Sequence, residues 1–190
     1  MDIITERLHI RDLIEADAAS LHRLRTDPLV TRYIYSFSSE TLAQTQHWIV
    51  RTKFHNERPE RDSHNCAIVL RERGKVIGWI GFGFSHPEQK PIGDVGIGYA
   101  IRPEFWRRGY TTEALRATLG FVFRETNAEN AKTYCNVENV ASALVMDKAG
   151  MQLVGRAPHP DENAPDRAEV FQYRLSRAMW QRNVEDYHAL

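Results

Sequence analysis

The sequence predicts a mixed α/β fold. Two patterns carry that expectation: apolar residues at helical spacing in the first third, and a second half that alternates β-branched runs with amphipathic stretches as strand, helix, strand, helix, strand. Size supplies a third. The 190 residues, 42% hydrophobic and 26% charged, are enough to bury a core against chain entropy. No repeat, low-complexity segment or linker divides them, so residues 1–190 read as a single domain.

Each element has its own signal. Residues 3–11 alternate around Leu8 and Ile10 and read as one strand. Residues 15–26 carry Leu21 and Leu24 at helical spacing, and Asp27-Pro28 stops that helix before a short second one reaching Ile34. A third helix runs from Glu40 to about Phe54, capped by Ser38-Ser39, with Leu42 and Ile49 on one face. From Asn65, the two apolar runs of CAIVLRERGKVIGWIGFGF meet at Arg73-Gly74, an antiparallel hairpin whose glycine supplies a positive φ. The second run puts Ile80, Phe82 and Phe84 on one face and Gly81 and Gly83 on the other. Asp94 to Ile101 repeats the asymmetry: Val95, Ile97, Tyr99 and Ile101 point one way, while Gly96, Gly98 and Ala100 leave the opposite face almost bare and open to close approach. After Arg102-Pro103, the stripe through Ala114, Leu115, Thr118, Leu119, Phe121 and Val122 marks a helix packed on a sheet. Residues 131–137 read as a strand. Asn139 to Ala149 reads as a helix capped by Asn139, with Leu144 and Val145 inward and Gly150 beyond its end. Met151–Ala157 and Ala168–Leu175 complete the strands, separated by the loop PHPDENAPDR.

Composition removes several classes of function. Lys+Arg and Asp+Glu both total 25, so the broad basic excess of a nucleic-acid binder is missing. Apolar runs are interrupted well short of the roughly 18 residues that span a bilayer. The opening MDIITERLHIRDL lacks the hydrophobic run of a secretory signal, so a cytoplasmic location and no membrane partner are expected. Cys66 and Cys135 lack CxxC spacing and read as small buried residues. His47, His55 and His64 lack an H-E-x-x-H arrangement, so no metal is expected. Trp48, Trp79 and Phe84 have no basic interleaving and read as core or pocket wall.

The turn from Trp106 through Arg107, Arg108, Gly109, Tyr110 and Thr111 to Thr112 is the most informative stretch. It leaves a strand and opens a helix, so several peptide N–H groups lie unpaired at the positive end of the helix dipole, where they either bind an anion or only end the helix. Neither GxxxxGK[ST] nor GxGxxG is present, which disfavours a nucleoside-triphosphate loop and a dinucleotide site. The run IGYAIRPEFWRRGYTTEAL resembles the acyl-CoA-binding signature of the GNAT superfamily of N-acetyltransferases, in its RimJ/RimL-like branch. TERLHIRDL resembles that branch's opening strand, and NVASALVMDKAGMQLVG resembles its second CoA-contacting segment, so the likeness spans Thr5 to about Leu175.

That resemblance implies an α+β sheet of about seven mostly antiparallel strands flanked by helices, and transfer of an acetyl group from acetyl-CoA to a primary amine. The amine would belong to a peptide N-terminus or to a small molecule, and transfer would be direct. Backbone groups of Tyr99, Ala100 and Ile101 would bond the pantetheine arm, which would account for the bare glycine face, and the amides of Arg107 to Thr112 would hold the diphosphate. Asn139 and Ser142 would approach from the next helix, Ser142 protonating the departing thiolate; each also reads as an ordinary cap or helix-surface residue. Relatives often carry Glu where this chain has Gly96, which leaves Asp94, acting through a water, as the candidate base or an exposed strand-start residue. That gap keeps a second class open, a non-catalytic acyl-CoA-binding sensor or scaffold. Asp161, Glu162 and Asp166 in the loop after His159 form either a solvated turn or a feature favouring a cationic acceptor. Acceptor choice falls to about 14–58 and 156–168, and monomer and homodimer both remain open.

Overall fold

A computed structural model of the chain describes residues 1–58, 61, 63–84, 92–161, 163–165 and 168–188. Eight strands form one sheet: β1 (Asp2–Ile4), β2 (Leu8–Asp12), β3 (Ser63–Leu70), β4 (Lys75–Phe84), β5 (Ile92–Ile101), β6 (Asn127–Asn136), β7 (Gln152–Pro158) and β8 (Glu169–Ser176). Their spatial order is β1-β2-β3-β4-β5-β6-β8-β7, and among the described residues only β5 and β6 run parallel. The mixed, mostly antiparallel sheet is the expected one, with a strand more than the expected seven. The extra strand arises because residues 3–11 are a hairpin. Thr5 turns the chain, its N–H donating to the Leu8 carbonyl and its hydroxyl accepting the Leu8 N–H, both at 2.9 Å. A two-residue hydrophobic period does not register so short a turn.

The helices are α1 (Ala18–Thr26), α2 (Pro28–Thr31), α3 (Leu42–Asn56), α4 (Tyr110–Glu125), α5 (Val140–Lys148) and α6 (Arg177–His188). One sheet face packs Ile10, Ile68, Ile80 and Val95 against Leu115, Leu119 and Phe123 of α4. The other packs Ala67, Val69, Val76 and Ala100 against Leu21 and Leu24 of α1 and Ile49 of α3. Among the described residues no helix is long and apolar enough to cross a membrane.

Several local readings change. The cap of α3 is Thr41, whose hydroxyl accepts from Gln44 while Gln44 returns a bond to the Thr41 N–H. Leu42 is exposed, and the buried face is Thr45, Ile49 and Thr52, a stripe that mixes polar with apolar residues. In α5, Leu144 is 52% exposed and Met146, two residues on, is the fully buried one. Strand β6 starts four residues earlier than the sequence suggests, with Ala128 and Ala131 buried inside an otherwise polar run. Helix α6 packs on its own chain, with the Trp180 ring 5.5 Å from that of Phe123.

The glycine face is only partly bare. Trp79 of β4 lies over it, so a Cβ on Gly98 would sit 3.1 Å from the indole, and one on Gly81 would sit 2.9 Å from it. At Gly96 nothing lies within 4 Å of that position. Close approach is thus satisfied by a side chain of this chain at Gly81 and Gly98, and remains open at Gly96.

Gly78 fixes how closely β5 lies along β4. A side chain there would collide with the Ala100 carbonyl oxygen and, at 2.7 Å, with Ile101 Cγ1. Gly78→Ala is expected to lower unfolding free energy by about 1–3 kcal/mol in urea titrations, whereas Gly96→Ala, with open space, is expected to change it by less than about 0.5 kcal/mol.

Candidate active site

Strands β5 and β6 pair only from Ile92 to Gly96, opposite Asn127 to Lys132. Beyond that point β5 follows β4 to Ile101 and β6 follows β8 to Asn136, so the two part and one edge of β5 is left without a strand partner. Ladder alternation decides which groups face the gap. The Arg102 N–H donates to the Ile77 carbonyl at 2.9 Å, and two residues back on β5 Ala100 stands opposite Trp79 of β4. Ala100 therefore directs its polar groups to β4, while Tyr99 and Ile101 direct theirs into the gap. Of the three residues expected to offer backbone groups, Ala100 is the one turned away. Trp106 Nε1–H already donates to the Ile101 carbonyl at 2.7 Å, which leaves the Ile101 N–H and both backbone groups of Tyr99 facing the opening.

That Trp106 bond folds the following loop back across the end of β5. Arg107 (φ 59°) and Gly109 (φ 79°) both take left-handed conformations around Arg108. Such a reversal turns successive N–H groups toward one concavity, an anion-binding nest. Gly109 caps α4 without any side chain, and among the described residues the N–H groups of Arg107, Arg108, Gly109, Tyr110, Thr111 and Thr112 donate no hydrogen bond. The first to find a partner is that of Glu113, bonded to the Gly109 carbonyl at 3.0 Å. Six unbonded donors thus gather at the positive end of a 16-residue helix.

The nest is braced from the far end of the sequence. Glu113 Oε1 accepts from the Thr5 hydroxyl at 2.6 Å and from the Arg7 N–H at 3.0 Å, and its Oε2 accepts from Arg7 Nε at 2.6 Å. Arg7 Nη1 reaches on to the Arg108 carbonyl at 2.9 Å, and its guanidinium lies 4.7 Å above the Tyr110 ring. Burial pushes the Glu113 carboxyl up, but the bonds from Thr5 and Arg7 outweigh it and hold the group below its ordinary value. Sequence reading passed over Thr5, Arg7 and Glu113 as a brace. An acid in a first helical turn reads as a dipole partner, and nothing in the sequence announces a contact 106 residues distant.

Behind the gap, on the α4 side of the sheet, the Tyr99 hydroxyl lies 2.9 Å from Ser142 Oγ. Asn139 holds the start of α5, its Oδ1 accepting the Ser142 N–H at 3.2 Å. The Cys135 thiol of β6 completes the group; burial pushes it up to about 11 against a hydrogen bond with Ser142, so it stays a thiol at neutral pH. Burial also raises the Tyr99 phenol, again against the Ser142 bond. Tyr99, Ser142 and Asn139 thus lie together behind the gap, and the 107–112 turn follows the end of β5 in the chain.

Asp94 is not part of that group. It sits five residues along β5 from Tyr99, about 17 Å away at strand rise, on the opposite face and where the strands are still paired. Its Oδ1 accepts from Asn130 at 2.8 Å and its Oδ2 is ion-paired with Lys132. Burial raises the carboxyl, but Lys132 and Asn130 outweigh it and lower its proton affinity. Asp161 is likewise engaged, accepting from the Ser36 N–H at 3.0 Å and the Asn163 N–H at 2.9 Å, chiefly through Ser36 held down to about 2. Glu162 and Asp166 lie outside the described residues.

Residues 7–152 match a family model described as the acetyltransferase (GNAT) domain. The uncharacterized N-acetyltransferase YnaD of Bacillus subtilis (strain 168) is 29% identical over 159 residues, covering 82% of this chain and 85% of that one. Among solved structures, a GNAT-family acetyltransferase from Bacillus anthracis superposes with a TM-score of 0.78 at 25% identity, over 94% of this chain and 99% of its own. Spermidine N-acetyltransferase from Vibrio cholerae, in complex with CoA and spermine, superposes with a TM-score of 0.78 at 14% identity, over 93% and 99%.

The Glu113 brace has a pH signature. Because the folded carboxyl titrates below the ordinary glutamate value of 4.5, its stabilisation is complete above that value and is lost as pH falls through the folded value. Glu113→Gln is expected to destabilise by about 1 kcal/mol at pH 7, allowing for the exposed Arg7 partner. In urea titrations that difference should shrink once pH drops below about 4.5.

Proposed function

The chain belongs to the GNAT acetyltransferase family and is an N-acetyltransferase; from there we propose that it moves acetyl from acetyl-CoA straight to a primary amine in a ternary complex. One observation carries the reading of the site: six unbonded N–H groups lie just past the end of a strand whose outer edge is free. The nest suits a diphosphate, since backbone donors and the helix dipole both favour anionic oxygens, and Arg107 and Arg108 add charge at its rim. The free edge suits an amide-bearing arm, which completes the ladder through Tyr99 and Ile101 as an extra strand.

With the carrier so laid, the thioester reaches the point where β5 and β6 part. The amine nitrogen attacks the carbonyl carbon, a gap-facing N–H of β5 stabilises the oxyanion, and the carbon–sulfur bond breaks. The thiolate takes a proton from the Ser142 and Tyr99 hydroxyl pair, which regains one from solvent. Tyr99, kept neutral by burial, stays a donor throughout the neutral range. The amine's proton passes to solvent, because Asp94 is occupied by Lys132 and is a weak base. Cys135, buried and held as a thiol, supports transfer without an acyl-enzyme. The acceptor is a primary amine of a peptide N-terminus or of a small molecule.

Thr111→Glu tests the nest without disturbing the helix, since a carboxylate in the first turn favours α4 while it repels diphosphate. CoA affinity by calorimetry is expected to fall at least about 100-fold with the circular dichroism spectrum unchanged. Unaltered affinity would remove the nest from the site. Ser142→Ala is expected to lower kcat about 100-fold in a thiol-release assay, within the range of general-acid catalysis. Asp94→Asn is expected to cost less than tenfold, and a loss matching that of Ser142→Ala would restore Asp94 as the base.

A further inference from the structure

The face of the sheet opposite α4 carries a second cavity, of about 260 Å³, bounded by Trp48, Arg51, His55 and Arg58 from α3 and its end and by Ser63 and Asn65 of β3. Among the described residues none of these is acidic, and no carboxylate pairs with Arg51, His55 or Arg58. The wall is positive from behind as well. The buried guanidinium of Arg25 lies 4.5 Å from the Trp48 ring, and its Nε and Nη1 have no hydrogen-bond partner.

Strand register connects this cavity to the gap. Ser63 pairs with Gly83, and Gly83 pairs with Gly96, the residue at which β5 and β6 part. Gly96 is exposed, with open space where a side chain would stand. The neighbouring row, Asn65, Gly81 and Gly98, is roofed by Trp79, which donates to Asn65 Oδ1 at 3.0 Å and so forms the trough's side wall. Past Ser63 the residues of this row, Gly83 and Gly96, carry no side chains of their own, and the row crosses two strand spacings, about 10 Å, from a cationic cavity to the place where the thioester is read to lie.

We propose that this cavity and trough are the acceptor site, and that the acceptor is an amine carrying a carboxylate about 10 Å from its nitrogen. The carboxylate sits between Arg51 and Arg58, with Ser63 and Asn65 as neutral hydrogen-bonding groups, and the amine end lies over Gly83 and Gly96. The amine end of this assignment rests on the N-acetyltransferase reading; the carboxylate end rests on the cavity alone. Because the described wall is cationic, a polyamine is repelled there.

Two tripeptide amides test it, Gly-Gly-Asp-amide and Gly-Gly-Asn-amide, which differ by one carboxylate that an extended chain holds near the required span. Calorimetry with the CoA-loaded protein is expected to show the aspartyl peptide binding at least about tenfold more tightly. In Arg51→Gln/Arg58→Gln, or in either single variant should the double one fail to fold by circular dichroism, the ratio should fall toward one. Equal binding, no binding of either peptide, or a ratio that survives both substitutions overturns the proposal. Thiol release from acetyl-CoA is read separately. Release without carboxylate preference retains the enzyme and discards the cavity, whereas carboxylate-selective binding without release from any amine retains the cavity and discards the reading of the gap.

Discussion

Parallel strands that stop pairing halfway leave backbone groups for which the sheet supplies no partner, and this constraint organises the molecule. After Gly96 and Lys132, β5 and β6 each keep one neighbour, β4 and β8. The gap-facing groups of Tyr99 and Ile101 then need water or a ligand, because an amide left bare in a protein interior costs about 1–3 kcal/mol. Trp106 answers part of that need by bonding the Ile101 carbonyl, and the same bond carries the chain into the nest at the start of α4. Edge and nest are consecutive stretches of one backbone and form one surface.

The parting also gives the sheet two chemically distinct sides. Toward α4 and α5, Tyr99, Ser142 and the Cys135 thiol form a hydroxyl and sulfur cluster that burial keeps neutral. Toward α1 and α3, glycine rows, Trp79 and a cationic cavity leave room for a second molecule. Under the proposed function, a thioester in the opening would be reached from one side by a proton donor and from the other by an amine, and transfer would need no covalent intermediate on the protein, with most of the rate coming from holding two reactants in contact.

Much of this was legible in the sequence, and the failures have physical causes. The stripe through Leu115 and Leu119 placed α4 correctly, and Arg73-Gly74 marked the β3–β4 turn, with Gly74 at φ 59°. The alternation of β5 identified its buried face through Val95 and Ile97. Alternation describes side chains, though, and the site is built from main chain, so that pattern offered no sign that Ala100 faces β4 while its neighbours face the gap. Gly98 looked vacant because the indole that covers it comes from the neighbouring strand β4. Asp94 looked available for the same reason: Lys132 and Asn130 lie on β6, beyond the reach of local pattern. Local signals located elements and termini, and contacts between distant segments settled which groups were free.

Amide hydrogen exchange, followed residue by residue by NMR with and without CoA, tests the central claim most directly because it reads the main chain itself. The expected result is new protection at Arg107 to Thr112 together with Tyr99 and Ile101, while Ala100, already bonded to β4, changes little. Protection confined to other segments, with these amides exchanging as before under saturating CoA, would contradict it.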